Sequence, residues 1–299
     1  MPIRERSTSS GTVKSPIPAN GSPIRPTLAC FIATLTFAAY NRLANGGTLL
    51  VNGLNLGLNA SETTTVSRIF FTTMPDLVGT TAALSTGINA AVKNTQVVPG
   101  LVGEATSTTG GAGTATGTPN TFLTYEAGTG LRPLNPTDEF TQNAFISGDN
   151  TRITTATTLP TSTAINSLVI VGADVTIGSG KTLTVTSGNI LFASGSLQTL
   201  GNGGTLAFGG REGIITINSG SNTFISAVIT GTAGVSYYGT GTLVTNMQHD
   251  YSGSTGLYLA AAIPQSSSAG PAGAPTSGPF GKGTLILGGA SIRATTTNA

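Results

Sequence analysis

So few residues carry charge that each pair with catalytic potential can be weighed singly. Asp138 and Glu139 are adjacent carboxylates, the residue type that works in pairs in glycoside hydrolysis. Successive side chains of a strand point to opposite faces, so these neighbours do not face a common substrate. Following Asn135-Pro136, they read as a solvated turn. His249, the only histidine, stands next to Asp250. An imidazole can act as a base or bind a metal. Without a serine nucleophile motif or partner ligands around it, His249 reads as a surface turn residue. Arg211 and Glu212 read as a turn between strands, neutralising each other weakly. Cys30 is the single cysteine, so no intrachain disulfide can form. It lies in an apolar run from Thr27 to Ala39 and reads as a small buried hydrophobe. A reactive thiol would need a neighbouring base.

No calcium-binding Gly-Gly-x-Gly-x-Asp repeat is present. No glycine motif for phosphate or dinucleotide runs from a strand into a helix. The sequence therefore points to no catalytic, cofactor-binding or metal-ligating residue, and to a protein that is not an enzyme.

The elements around these residues follow from composition. Charged residues make up 8% of the chain, against roughly 25% in an ordinary soluble domain, so hydroxyls and amides must supply solubility. Thr and Val favour strands because branched side chains fit a pleated surface. The 42 glycines, with Asn, favour turns because they accept positive φ. Many short strands joined by tight turns are expected rather than disorder, because the apolar residues fall in regular short runs. Arg4, Arg6, Lys14 and Arg25 stand near the start without interleaved aromatics, so no nucleic-acid partner is expected. The run Leu28–Ala39 loosely resembles a signal peptide, but its polar, proline-rich leader is too long. The run is also too short to span a bilayer, and a β-strand is the better reading.

Three regions are expected: a poorly ordered leader over 1–33, an irregular β-rich region over 34–160, and stacked strands over 161–299. Strand signals begin at Thr34-Leu35-Thr36-Phe37, then Gly46–Val51 and Ser67–Thr72, the last stopped by Met74-Pro75-Asp76. Thr81–Val92 is the one place where composition permits a short helix. From Leu168 onward, apolar triplets recur every seven to ten residues, separated by Gly, Asn or Ser. Val169 and Leu191 are 22 residues apart, as are Thr176 and Gln198, and Thr184 and Leu206. Three strands per 22-residue turn predicts a right-handed parallel β-helix, a solenoid in which each strand stacks on the one a turn earlier. The turns leave no room for crossover helices, which excludes a doubly wound α/β sheet. Leu183, Leu206, Ile215, Ile225 and Leu243 are the expected stacking residues. Asp174 and Glu212 are 38 residues apart, not a whole number of such turns, so they are not expected to share a face. A Pro/Ser/Ala/Gly insertion over 263–281 interrupts the pattern. An open-ended solenoid would need further repeats or a partner to cover its last strands.

The segment Gly239-Thr240-Gly241-Thr242-Leu243-Val244-Thr245-Asn246, followed by Tyr251–Leu257, resembles the autotransporter-associated β-strand repeat. Gly281-Lys282-Gly283-Thr284-Leu285-Ile286-Leu287-Gly288-Gly289 looks like a second copy of its core. Upstream, Ser67–Thr73, Thr124-Tyr125 and Gly130-Leu131-Arg132-Pro133-Leu134 are also similar to large repetitive proteins of this type. The resemblance covers about residues 34–299. One departure is Met247-Gln248-His249-Asp250, where the family has a Gly/Ala/Asn turn. The resemblance implies a passenger-type β-helix displayed or secreted outside the cell, associated with the outer membrane, and serving as a stalk or adhesin. Gly241, Thr242, Leu243, Gly283, Thr284 and Leu285 would be its structural motif residues. A host surface, matrix or glycan would be the partner, with further repeats or a membrane barrel outside this chain. The rival expectation is a carbohydrate-binding or carbohydrate-cleaving β-helix of the lyase or tailspike kind. Two or more acids within about 10 Å in one groove would favour it. A far-UV spectrum without β signal would instead mark a disordered product of a misread frame.

Overall fold

The computed structural model describes residues 32–42, 46–58, 66–83, 92–105, 118–193, 197–218 and 222–294. Cys30, the basic leader and most of the Ala-rich piece (84–91) lie outside them. The described residues are all-β, with no helix. No helix among them is long and apolar enough to cross a membrane.

Six strands build the N-terminal region: β1 (Ile32–Ala39), β2 (Leu49–Val51), β3 (Val66–Thr73), β4 (Leu101–Gly103), β5 (Thr121–Glu126) and β6 (Gly130–Pro133). β1 pairs with β3 in parallel, from Ile32 opposite Val66 to Ala39 opposite Thr73. β2 pairs with β4 in parallel, and β4, β5 and β6 run antiparallel. The β5–β6 turn is closed by Glu126, whose carboxylate accepts from the Gly128 and Thr129 N–H groups at 2.7 and 2.9 Å. Gly130 follows at φ 82, and a Cβ there would lie 2.3 Å from the Ile69 carbonyl oxygen. Only glycine fits where β3 passes so closely.

The rest is a parallel stack. Its strands are β7 (Thr141–Gln142), β8 (Asn150–Ile153), β9 (Thr157–Thr158), β10 (Thr163–Ile165), β11 (Ser167–Ile170), β12 (Val175–Thr176) and β13 (Thr182–Val185). The stack continues with β14 (Asn189–Phe192), β15 (Gln198–Ala207), β16 (Gly213–Ile217), β17 (Asn222–Thr230) and β18 (Val235–Gly239). It closes with β19 (Thr242–Thr245), β20 (Thr255–Tyr258), β21 (Ala261–Pro264), β22 (Leu285–Leu287) and β23 (Ser291–Ile292). One eight-stranded sheet runs β22-β20-β18-β16-β14-β11-β8-β7, and a nine-stranded sheet holds β9, β10, β12, β13, β15, β17, β19, β21 and β23. Neighbours in both sheets are parallel, an arrangement of the β-solenoid kind. In-register pairing builds columns: Leu168, Ile190, Ile215, Tyr237 and Leu257 line up on the inner face of the eight-stranded sheet. Leu183, Leu206 and Ile229 do so on the other sheet. One apolar core joins both, and Leu183, Leu206, Ile215, Ile225 and Leu243 are all fully buried in it.

Register departs from an even 22-residue spacing. Val169 does pair with Leu191. Thr176, however, pairs with Gly201 rather than Gln198, and Thr184 with Ala207 rather than Leu206. Offsets range from Thr141 against Thr151 to Thr255 against Leu285. A corner inside β15 adds a further shift: Gly201, Asn202 and Gly203 have φ of 140, 88 and 87, and the ladder to β17 shifts between Gly201 and Thr205. A bulge takes up extra residues without ending the strand, so two expected strands are one bent strand. A Cβ on Gly201 would lie 2.1 Å from the Ala227 nitrogen. Gly201→Val is therefore expected to cost about 2 kcal/mol or more, read as a lowered urea midpoint; an unchanged midpoint would refute the corner's dependence on glycine.

The N-terminal region covers the outer face of the eight-stranded sheet. Val169 and Leu191 point outward and pack with Val97, Val102, Phe122, Leu134 and Phe140. Asparagines at the strand starts complete the seam: Asn150 Nδ2 donates to the Thr95 carbonyl at 2.8 Å, and Asn189 Oδ1 accepts from the Gly100 N–H at 3.1 Å. The 263–281 insertion leaves the stack after Pro264 and is pinned to His249, which exchanges two backbone hydrogen bonds with Gly278.

Candidate binding cleft

The segment that follows β1 crosses onto the outer face of the stack and makes the floor of a cleft. Arg42 ends that crossing. Its guanidinium forks onto Glu212, with Nη1 donating to Oε2 and Nη2 to Oε1, both at 2.8 Å. Nη2 also reaches the Tyr238 hydroxyl at 3.1 Å and the Gly46 carbonyl at 2.9 Å. Glu212 stands in the turn between β15 and β16, and the Ser236 hydroxyl donates to its Oε1. Register places Tyr238 beside Tyr258, and their rings stack at 5.0 Å and 8°. Arg42 lies 5.9 Å from the centre of the Tyr238 ring, a cation–π contact.

Burial alone would pull the Arg42 guanidinium down, but hydrogen bonds and charge from Glu212, with Tyr238, outweigh it and hold the group above its ordinary value. Tyr40, next to it, is pushed up to about 12 by burial, against the lowering charge of Arg42. It stays a phenol at any ordinary pH and donates to the Pro99 carbonyl at 3.1 Å.

Above this floor opens a cleft of about 490 Å³, walled by Tyr40, Asn41, Met74 and Asp76 on one side and Ser187, Arg211 and Ile214 on the other. At its mouth Arg211 Nη1 donates to Asp76 Oδ2 at 2.8 Å, with side chains 46% and 67% exposed. Two guanidinium and two carboxylate groups thus meet in one place. Both carboxylates accept from guanidiniums, so the cleft presents paired donors and acceptors to a polar ligand.

This replaces the reading of Arg211 and Glu212 as mutual partners. They point along different directions of the turn, one to Asp76 and the other to Arg42. Two further readings change. Glu139 is not in a solvated turn: it is fully buried against Arg132, itself fully buried. Asp138 is half-buried, and its carbonyl accepts from Lys93 Nζ. His249 is not a surface residue either. It is fully buried, with Nδ1 accepting from the Ile229 N–H at 3.0 Å and Nε2 2.9 Å from the Thr245 hydroxyl. The insertion pinned at Gly278 covers it.

The motif residues fall on different faces. Thr242 and Leu243 belong to β19 in the nine-stranded sheet, and Leu285 to β22 in the eight-stranded one. Leu243 is fully buried and Leu285 is 39% exposed. The Gly241 N–H donates to Ile217, and the Thr284 carbonyl accepts from Thr255. Gly283 packs against Gly253, whose carbonyl oxygen a Cβ would meet at 2.2 Å. None of the six lines the cleft. Among the described residues no group of three or more His, Cys, Asp or Glu could hold a metal. Sequence reasoning named neither Arg42 nor Tyr40 for the cleft and read Asp76 only as a strand stop. Partners 135 and 170 residues apart leave no spacing signal. No known protein family, curated protein or solved structure matches this chain.

Proposed function

We propose that this chain is a structural and adhesive segment displayed on the cell surface or secreted, of the autotransporter-passenger type. It forms a right-handed β-helical stalk with rungs of about 22 residues on average. Its action is mechanical. Parallel ladders with stacked apolar columns make a stiff rod, and the outer face offers contact surface to a host surface, matrix or glycan. The observation that supports this reading is the unbroken parallel pairing of eight strands from β7 to β22 over one shared apolar core. Right-handed connection is the general rule for parallel strands. The test is protease shaving of intact producing cells, followed with an antibody to residues 165–245. Loss of signal from unbroken cells supports display; protection until lysis refutes it.

One observation favours a second reading, a carbohydrate-binding or carbohydrate-cleaving β-helix of the lyase or tailspike kind. Asp76 and Glu212 line the same cleft. Release of reducing ends from a polysaccharide by the purified chain, abolished in Asp76→Asn, would carry that reading over the first.

A further inference from the structure

We propose that the cleft mouth is a binding site for a neutral saccharide, held by Asp76, Arg211 and Asn41 against the Tyr40 ring. This names a ligand class for the adhesive reading and rests on it. Asp76 and Arg211 form an ion pair at the cleft mouth. The pair is joined by one hydrogen bond, Nη1 to Oδ2. Among the described residues nothing else bonds Asp76 Oδ1 or the remaining N–H groups of Arg211, and exposed Asn41 makes no side-chain hydrogen bond. A one-point ion pair therefore presents an acceptor and donors side by side. Adjacent hydroxyls of a sugar are the complement: one donates to the carboxylate, and its neighbour accepts from the guanidinium.

The walls supply the other half. A half-buried tyrosine and Met74, 58% exposed, form an apolar surface for the C–H face of a sugar ring. The floor pair, Arg42 with Glu212, is committed to its own partners and acts as the rigid support of the site. Charges at the mouth cancel, one cation against one anion, which disfavours an anionic or cationic ligand and suits a neutral one. The volume of about 490 Å³ falls within the 300–1,000 Å³ of ordinary small-ligand clefts.

The test uses the purified full chain on an array of neutral and acidic oligosaccharides, with hits measured by calorimetry. Neutral glycans are expected to bind, and Asp76→Ala and Arg211→Ala each to weaken them about tenfold or more. Asp76→Asn, which keeps an acceptor, should fall between. The pair is exposed, so circular dichroism of each variant should match the parent chain. Asp174→Ala, in a separate groove, should leave binding unchanged. Binding restricted to acidic glycans and displaced by sulfate would overturn the proposal, as would glycan binding that both variants retain, or none at all. Because the array needs no cells, failure here leaves the shaving result standing, and failure of display leaves the array result standing.

Discussion

Replacing Arg132 by Met is expected to destabilise the fold by about 3–5 kcal/mol, the range for stranding one partner of a buried pair. Arg132 and Glu139 are both fully buried and joined by a fork, Nη1 to Oε2 at 2.7 Å and Nη2 to Oε1 at 2.9 Å. The Asn135 N–H also donates to Oε2 at 2.8 Å. Removing the guanidinium leaves a carboxylate with no counter-charge in an apolar seam. The double variant Arg132→Met, Glu139→Met removes both charges together and should recover most of the loss. Urea unfolding of the parent chain, both single variants and the double variant closes the cycle. A single variant within about 1 kcal/mol of the parent would sink this account, as would a double variant no better than the single.

The second large effect is acid sensitivity set by His249. Burial lowers its pKa from 6.5 to about 4, so the folded chain holds it neutral. Its surroundings are the Ile229 N–H, the Thr245 hydroxyl and the Tyr251 ring at 6.1 Å; burial pushes the Tyr251 phenol up as well. Above pH 6.5 both folded and unfolded chains carry the neutral imidazole, and the stability is complete. As pH falls from 6.5 toward 4, the unfolded chain takes up a proton that the folded chain refuses, so stability drops. Below about 4 both forms are protonated and the loss levels off. The full loss from this group is about 3 kcal/mol. His249→Asn keeps an acceptor for the Ile229 N–H but does not titrate. Its stability should therefore fall by about 3 kcal/mol less than the parent's between pH 7 and pH 4. Equal pH dependence in the two proteins would show that His249 is not the source. The region to respond first is the 263–281 insertion, since the His249–Gly278 backbone bonds pin it.

Sequence by itself determined the all-β class and the parallel stacking. Thr, Val and Ile runs broken by Gly and Asn specify short strands, and a strand pairs with one only a turn away. Such contacts repeat along the chain, so their period is visible in it, as Val169 opposite Leu191 illustrates. The same reading missed the corner in β15, because a bulge at Gly201–Gly203 absorbs residues without changing composition. Tertiary structure alone decided the cleft, the Arg132–Glu139 pair and the burial of His249. Each depends on what a distant segment lays over a residue: Arg42 over Glu212, the seam of β5 and β6 over Glu139, the insertion over His249. A charged or titratable side chain looks the same in sequence whether solvent or protein covers it. Only the packing of the N-terminal region and the insertion onto the stack decides which, and with it where charge can be held and what a ligand can reach.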